Sequence, residues 1–368
     1  MDWSIHNTVM LGALAAGGAV GFVAAKSHFC TMGAVSDWVN MGDLSRLRGW
    51  FLAIAVAILG TIAVEASQGV NLNEGTFPPY RSNQLVWLRH ILGGFLFGIG
   101  MTLASGCGNK TVVRIGGGNL KSLVVLVVMG AVAYWLTWGG GYALLFEPWL
   151  SRTAISLAGP QELARTLLGT TNPIAHYAVG AVVAGALLLF AFLSPDFRSN
   201  RDLVVASIVI GLAVAFVWWL TGSTTTGSTW REYAEFADQP LSRVNTQSLT
   251  FIAPAADLLY YLQAPGEVNR LNVGIMTVIG VLVGSLLYAL TSSTFRWEWF
   301  ANSSDLINHL VGAVLMGVGG ILSMGCTFGQ GITGISTLAV GSFLSLISII
   351  AGSAAMLKYL YWKMMNEA

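Results

Sequence analysis

Three cysteines stand at positions 30, 107 and 326 of a 368-residue chain, in the contexts FCTMGA, SGCGNK and GCTFGQ. So few, so far apart and odd in number, they build no disulfide framework. Their chemistry is that of single thiols. A thiol is a weak S–H donor on a soft, polarisable atom, better matched to a ligand that presents sulfur or selenium than to a hard oxyanion or alkali ion. Metal ligation is the first rival, and no metal site is expected: CxxC and HxxxH spacings are lacking, and Met32 and Met324 form no repeated pattern. Catalysis is the second. The sequence offers no nucleophile and base pair, no paired carboxylates and no phosphate loop, so neither an enzyme nor a cofactor is expected. A lone buried cysteine is more often a small hydrophobe than a working group. Position separates the two cases here.

That position is marked by a repeat. The segment HILGGFLFGIGMTLASGC at 90–107 aligns without gaps with HLVGAVLMGVGGILSMGC at 309–326, with eight identities in 18 positions, including the histidine, four glycines and the final cysteine. Chance is a poor explanation for that match. Upstream, SRLRGWFLAIAVAILGT is a weaker echo of NRLNVGIMTVIGVLVGS, which extends the repeat to four helices per half with a fifth as connector. The first half covers about 8–145, the connector about 173–193 and the second half about 203–357. A shift of five membrane spans is odd, so the halves are expected to run in opposite directions across a bilayer, as in many transport proteins. His90 and His309 each begin their helix at the membrane surface, which favours an interfacial or capping role. The glycines serve mainly close helix packing.

About 16 apolar residues rise only about 24 Å as a helix, short of a roughly 30 Å hydrocarbon core. The repeated segments should therefore end inside the protein. The following stretches, GNKTVVRIGGGN and TFGQGITGIS, are too polar and glycine-rich to face lipid, and irregular backbone at that depth must line a cavity or be packed in protein. Cys107 and Cys326 mark the two breaks, with Asn109 and Gln330 as polar groups of the path. Cys30, beside His28, lies at a third interruption, KSHFCTMGA, whose counterpart WWLTGSTTTG has no cysteine. A column of three thiols within roughly 15 Å of one another is expected, rather than a symmetric pair. Lys26, Lys110 and Arg114 are the cations nearest in sequence and the candidates for drawing in an anion.

The elements that position these residues follow from composition. Hydrophobic side chains make up 55% of the chain and charged ones only 10%, against roughly 25% in soluble domains, so it belongs in a bilayer. With 18 basic and 17 acidic residues the net charge is +1, which argues against nucleic acid or an acidic protein as the main partner. Nine apolar runs are predicted as spans near 8–25, 50–67, 91–106, 122–145, 173–193, 203–221, 272–291, 309–326 and 336–357, in an all-helical, single-domain polytopic membrane protein. The start has no basic n-region or cleavage site, so the first run reads as a membrane segment rather than a signal peptide. Residues 222–272 should form an extramembrane loop with some local helix. Of the 18 Lys and Arg, 11 fall on the side of the C-terminus, which predicts a cytoplasmic C-terminus in the inner membrane of the cell.

With these residues in view, SGCGNKTVVRIGGGN, GCTFGQGITGIS and FCTMGA resemble the three cysteine motifs of the YeeE/YedE family of membrane sulfur transporters, over nearly the whole chain. The resemblance implies uptake of thiosulfate or a closely related small sulfur anion, with Cys30, Cys107 and Cys326 passing the anion along by S–H contacts to its terminal sulfur and without covalent chemistry. It also implies a cytosolic TusA-like sulfur-carrier protein as partner. Family members differ in substrate, and some are associated with selenium metabolism. Three other readings stay open: a selenium or other sulfur-compound transporter, a membrane thiol oxidoreductase or sulfurtransferase, and a non-transporting receptor for a sulfur carrier.

Overall fold

The computed structural model describes residues 4–237 and 239–367, and these form helices joined by short loops. Thirteen helices matter here: α1 (Ile5–Lys26), α2 (Thr31–Met41), α3 (Ser45–Gln68), α4 (Trp87–Leu103), α5 (Gly108–Gly116), α6 (Leu120–Thr137), α7 (Pro173–Phe192), α8 (Arg201–Gly222), α9 (Thr226–Glu235), α10 (Ile252–Leu262), α11 (Val273–Thr291), α12 (Ser303–Leu322) and α13 (Val340–Glu367). Among the described residues nine stretches are long and apolar enough to cross a membrane, with α1–α2 and α4–α5 each counting as one. The nine predicted runs match them, apart from the ends. The fourth stops at Thr137 rather than 145, because Trp138 is followed by three glycines and Gly140 takes the left-handed conformation (φ +74°). The ninth starts at Val340 rather than 336, because the residues before it still belong to the broken segment after Cys326.

Several helix starts are set by asparagine. The side-chain oxygens of Asn119, Asn172, Asn200, Asn272 and Asn302 accept from backbone N–H groups in the first turns of α6, α7, the segment opening α8, α11 and α12. Each satisfies a donor that a helix N-terminus leaves free. The loop of 222–272 carries α9 and α10 and contributes a strand, Thr246–Gln247, that pairs in parallel with Thr76–Phe77. A second small pair joins Gln84–Val86 to Ala154–Ser156 in antiparallel register, tying together the loops on the face where the chain begins.

The helices pack in matched pairs. α1 lies on α11 as α8 lies on α3, and α4 lies on α13 as α12 lies on α6. At the centre α4 crosses α12 antiparallel with glycines in contact. A Cβ on Gly93 would sit 2.9 Å from Gly319 O and one on Gly319 2.6 Å from Gly93 O; Gly100 and Gly312 meet the same way, at 2.7 Å in each direction. These four are aligned glycines of the repeat, Gly93 with Gly312 and Gly100 with Gly319, so each of the two contacts is the counterpart of the other. Backbone is thus in contact with backbone, the closest approach two helices can make. α7 docks on α3 and otherwise presents apolar side chains such as Ile174, Val182 and Leu189 to the outside.

Candidate functional site

Each cysteine occupies the same local geometry. A long helix ends, the residue two before the cysteine adopts a left-handed backbone, and the cysteine leads into a new short helix. The left-handed residues are His28 (φ 53°), Ser105 (φ 57°) and Met324 (φ 61°). Cys30 is the N-cap of α2 and Cys107 the N-cap of α5. Cys326 opens a helical segment that becomes a π-helix over Gly329–Gly334. The helix is thus interrupted at each thiol, and a helix N-terminus, with its free N–H groups and positive dipole end, lies beside each. Gly329 N–H donates to Cys326 Sγ at 3.4 Å. Cys30, without a counterpart in the repeat, therefore shares the local design of the other two.

The π-helix has a visible origin. Matched residues of the two halves are offset by 219 at Cys107 and Cys326, and by 220 at Gly118 and Leu338, which both take a positive φ. Asn119 and Ala339, one residue on, both form isolated β-bridges, to Glu298 and Glu162. One extra residue therefore sits between Cys326 and Leu338, and a π-turn is how a helix absorbs one. The insertion changes the path. A Cβ on Gly106 would touch the Lys110 side chain (3.3 Å to Cβ), whereas one on Gly325 would touch Gln330 (3.3 Å to Cγ), so a neutral amide stands where the first half has an ammonium.

All three thiols are buried, with relative exposures of 5%, 1% and 0% for Cys30, Cys107 and Cys326. The Cys30 and Cys107 side chains lie within hydrogen-bonding reach of each other, and Thr327, next to Cys326, faces Cys107. Cys326 Cβ is 3.9 Å from where a Cβ on Gly108 would stand, so the second and third breaks lie within van der Waals reach of each other. The order in space is Cys326, Cys107, Cys30. Around them Phe29 stacks on Trp50 at 4.9 Å, and Phe328 meets Trp50 and Phe251 edge-on at 6.5 and 5.2 Å.

Polar atoms without partners gather in the same place. Thr31 Oγ1, Asn109 Oδ1, Thr250 Oγ1 and Gln330 Oε1 are buried and unpaired, each within four residues of a cysteine except Thr250, whose hydroxyl lies against Gly329. Leaving such a group unsatisfied costs about 1–3 kcal/mol. They place unsatisfied hydrogen-bonding groups beside the three buried thiols. Sequence reasoning singled out Asn109 and Gln330 but missed Thr31, Thr250 and Thr327; the shared Cys-Thr pair could have marked Thr31 and Thr327, whereas Thr250 has no such local signal.

The cations divide by side. Lys110, half-buried, and Arg114 are the charges whose field reaches Cys30, and Arg46, paired with Asp37 at 2.9 Å, joins them beside His28. Lys26 does not join them. It forms a 2.9 Å ion pair with Asp202 near the surface and is occupied there. On the other side, a cavity of about 230 Å³ reaches Met324, Gly325 and Thr250, next to Cys326. Arg89 borders it, its Nε donating to Leu322 O at 2.8 Å and its guanidinium over the Tyr142 ring at 5.6 Å. The repeated histidines are both buried: His90 Nδ1 pairs with Ser345 Oγ and His309 Nδ1 with Asp305 O, each at 2.8 Å, while His90 Nε2 has no partner.

A family profile described as sulphur transport matches residues 26–355, from the end of α1 to α13, and so takes in all three breaks. The chain belongs to this family. It is 26% identical over 357 residues to the thiosulfate transporter TsuA of Escherichia coli, covering 94% of this chain and 93% of that one. It is 25% identical over 347 residues to the thiosulfate transporter TsuA of Spirochaeta thermophila, covering 91% and 94%. The membrane-spanning fold, the transport family and the motif resemblance thus agree, and the protein is a transporter rather than an enzyme.

Proposed function

We propose that this protein imports thiosulfate across the cytoplasmic membrane along the line Cys326, Cys107, Cys30. The observation that carries the reading is the contiguity of three buried thiols with unpaired hydroxyls and amides at three helix breaks. Thiosulfate presents one soft terminal sulfur and three hard oxygens. Thiols suit the first, while hydroxyls, amides and helix N-termini suit the second. The ion is handed from thiol to thiol by S–H contacts, with no bond to sulfur made or broken.

The reciprocal glycine contacts and matched helix pairs support reading the halves as an inverted repeat, and the excess of Lys and Arg on the side of the C-terminus supports placing that end in the cytoplasm. The Arg89 cavity is then the outer vestibule, and Lys110, Arg114 and Arg46 receive the anion inside. A cytosolic TusA-like carrier would take up the sulfur there. The deciding experiment is uptake of labelled thiosulfate by a cysteine-requiring bacterium lacking other sulfate and thiosulfate importers. Growth and uptake only with this protein are expected; absence of flux would sink the reading. Mass spectrometry after exposure checks the non-covalent relay, since a persulfide on any of the three cysteines would replace it with sulfur transfer.

Charge gives a graded prediction. A dianion leaving water loses hydration worth several kcal/mol per charge, which fixed cations must help offset. Lys110→Ala or Arg114→Ala should raise the thiosulfate concentration for half-maximal uptake several-fold at low salt, with the gap to wild type narrowing as salt rises. If both variants match wild type at low salt, these charges only mark topology.

A further inference from the structure

A second buried polar cluster lies away from the thiols, on the face of the Arg89 cavity. His176 of α7 is 7% exposed and sits between two carboxylates, with Nδ1 2.5 Å from Glu162 Oε1 and Nε2 3.2 Å from Glu65 Oε2. The same Nε2 is 3.2 Å from Arg81 Nη2. Arg81, 2% exposed, also binds both Glu65 oxygens and Asn73 Oδ1. Its Nε donates to Thr337 O at 2.7 Å, in the turn that closes the broken segment after Cys326. That segment is gripped again on both sides: Leu163 N–H donates to Leu338 O at 2.9 Å and Val340 N–H to Gln161 O at 3.0 Å.

We propose that His176 is a proton-binding site, built from Glu65, Arg81 and Glu162, that loosens the segment 329–340 when it is occupied. The groups facing the ring from the elements packed on it are Glu65 of α3, Arg81 of the loop before α4 and Glu162 before the short helix Leu163–Leu168. They carry two negative charges and one positive, so the cluster is one positive charge short while the ring is neutral. The geometry accommodates both states without turning the ring. Neutral, it donates from Nδ1 to Glu162 and accepts at Nε2 from Arg81. Protonated, both nitrogens are donors, and Nε2–H goes to Glu65 Oε2. That arriving proton removes Arg81's acceptor and sets two cations 3.2 Å apart, while competing for the Glu65 oxygen that Arg81 holds.

Arg81 is therefore seated firmly with the ring neutral and weakly with the ring charged, and Thr337 O is released with it. Glu162, 15% exposed, gives the proton its route from solvent. Burial pushes the Glu162 carboxyl up, but the hydrogen bond to His176 and the charges of His176 and Arg81 outweigh this and hold it below its usual value, ionised and facing the ring. With Cys326 fully buried, loosening the segment beside it opens the path, so uptake should rise as the outside is acidified.

The link to uptake rests on the thiosulfate reading; proton binding does not. In proteoliposomes at fixed internal pH, initial thiosulfate uptake should climb several-fold as external pH falls from about 8 to about 5.5, the range in which histidine titrates. His176→Gln should flatten this profile. Glu162→Gln, which removes a carboxylate that favours the imidazolium, should move its midpoint to lower pH. A His176→Gln profile like wild type, or an unmoved midpoint in Glu162→Gln, overturns the proposal. Should wild type carry no thiosulfate at any pH, the transport reading fails, and hydrogen exchange of amides 329–340 in the purified protein decides this one. Protection that falls with pH in wild type and not in His176→Gln, after correction for intrinsic rates, supports it; equal profiles overturn it.

Discussion

Cys107→Ser should abolish uptake while leaving a folded, monodisperse protein. Cys107 is the middle thiol, beside Cys30 on one side and facing Thr327 and Cys326 on the other, so an ion on the proposed path must pass its side chain. Serine keeps the approximate volume and the donor count. It replaces a soft sulfur by a hard oxygen, which also binds the neighbouring backbone more strongly than it could bind a substrate sulfur. A drop of about a hundredfold or more is expected, equivalent to about 2.7 kcal/mol of barrier. Cys107→Ala and Cys326→Ala should fail as badly. Truncating one small buried side chain in a helical core this size costs about 1–3 kcal/mol, which the fold tolerates. The measurement is labelled thiosulfate uptake at matched expression, with size-exclusion profiles alongside. Wild-type rates in the serine variant would remove the relay.

The site was legible where its signal was local or repeated. The two matched glycine-rich segments ending in cysteine exposed both breaks, because the polar, glycine-rich stretches that follow cannot face lipid, although α12, at 20 residues, is longer than the sequence led one to expect. The nine spans were legible for the same reason, since apolar length is a property of contiguous residues. What stayed hidden depends on residues far apart in the chain. Lys26 looked available next to Cys30 because its partner, Asp202, belongs to another helix. Arg89 carries no signal in the sequence beyond its charge; only the fold brings Gly320, Met324 and Thr250 to line a cavity with it. The cluster of Glu65, Arg81, Glu162 and His176 draws on four separate segments, none of which is unusual alone. The π-helical insertion was invisible because it falls just past the ungapped match, where the halves no longer share residues. The asparagine caps, in contrast, could have been read in part: Asn172 and Asn272 stand at the head of apolar runs, whereas polar residues separate Asn119, Asn200 and Asn302 from theirs.

The central crossing gives the second large effect. Gly100 of α4 and Gly312 of α12 face each other so closely that a Cβ on Gly100 would stand 2.7 Å from Gly312 O and 2.8 Å from Met316 N. Both are backbone atoms of a packed helix, so neither can turn aside as a side chain would. Gly100→Leu must push the two helices apart. Overpacking a core typically costs about 1–3 kcal/mol, and here the displaced partner is a whole helix rather than a rotamer. α4 and α12 also lead directly into Cys107 and Cys326, so their separation is what sets the distance between those thiols. Gly100→Leu should therefore lower the melting temperature and yield sharply, and Gly100→Ala, which demands a smaller shift, should lose uptake before it loses the fold. Gly185→Leu is the control: Gly185 lies in α7 with nothing near its Cβ position, and replacing glycine in a helix interior gains up to about 1 kcal/mol of propensity. Wild-type melting and uptake are expected for that control. If Gly100→Leu behaves the same way, the glycine contact is incidental and the spacing of Cys107 and Cys326 is set elsewhere.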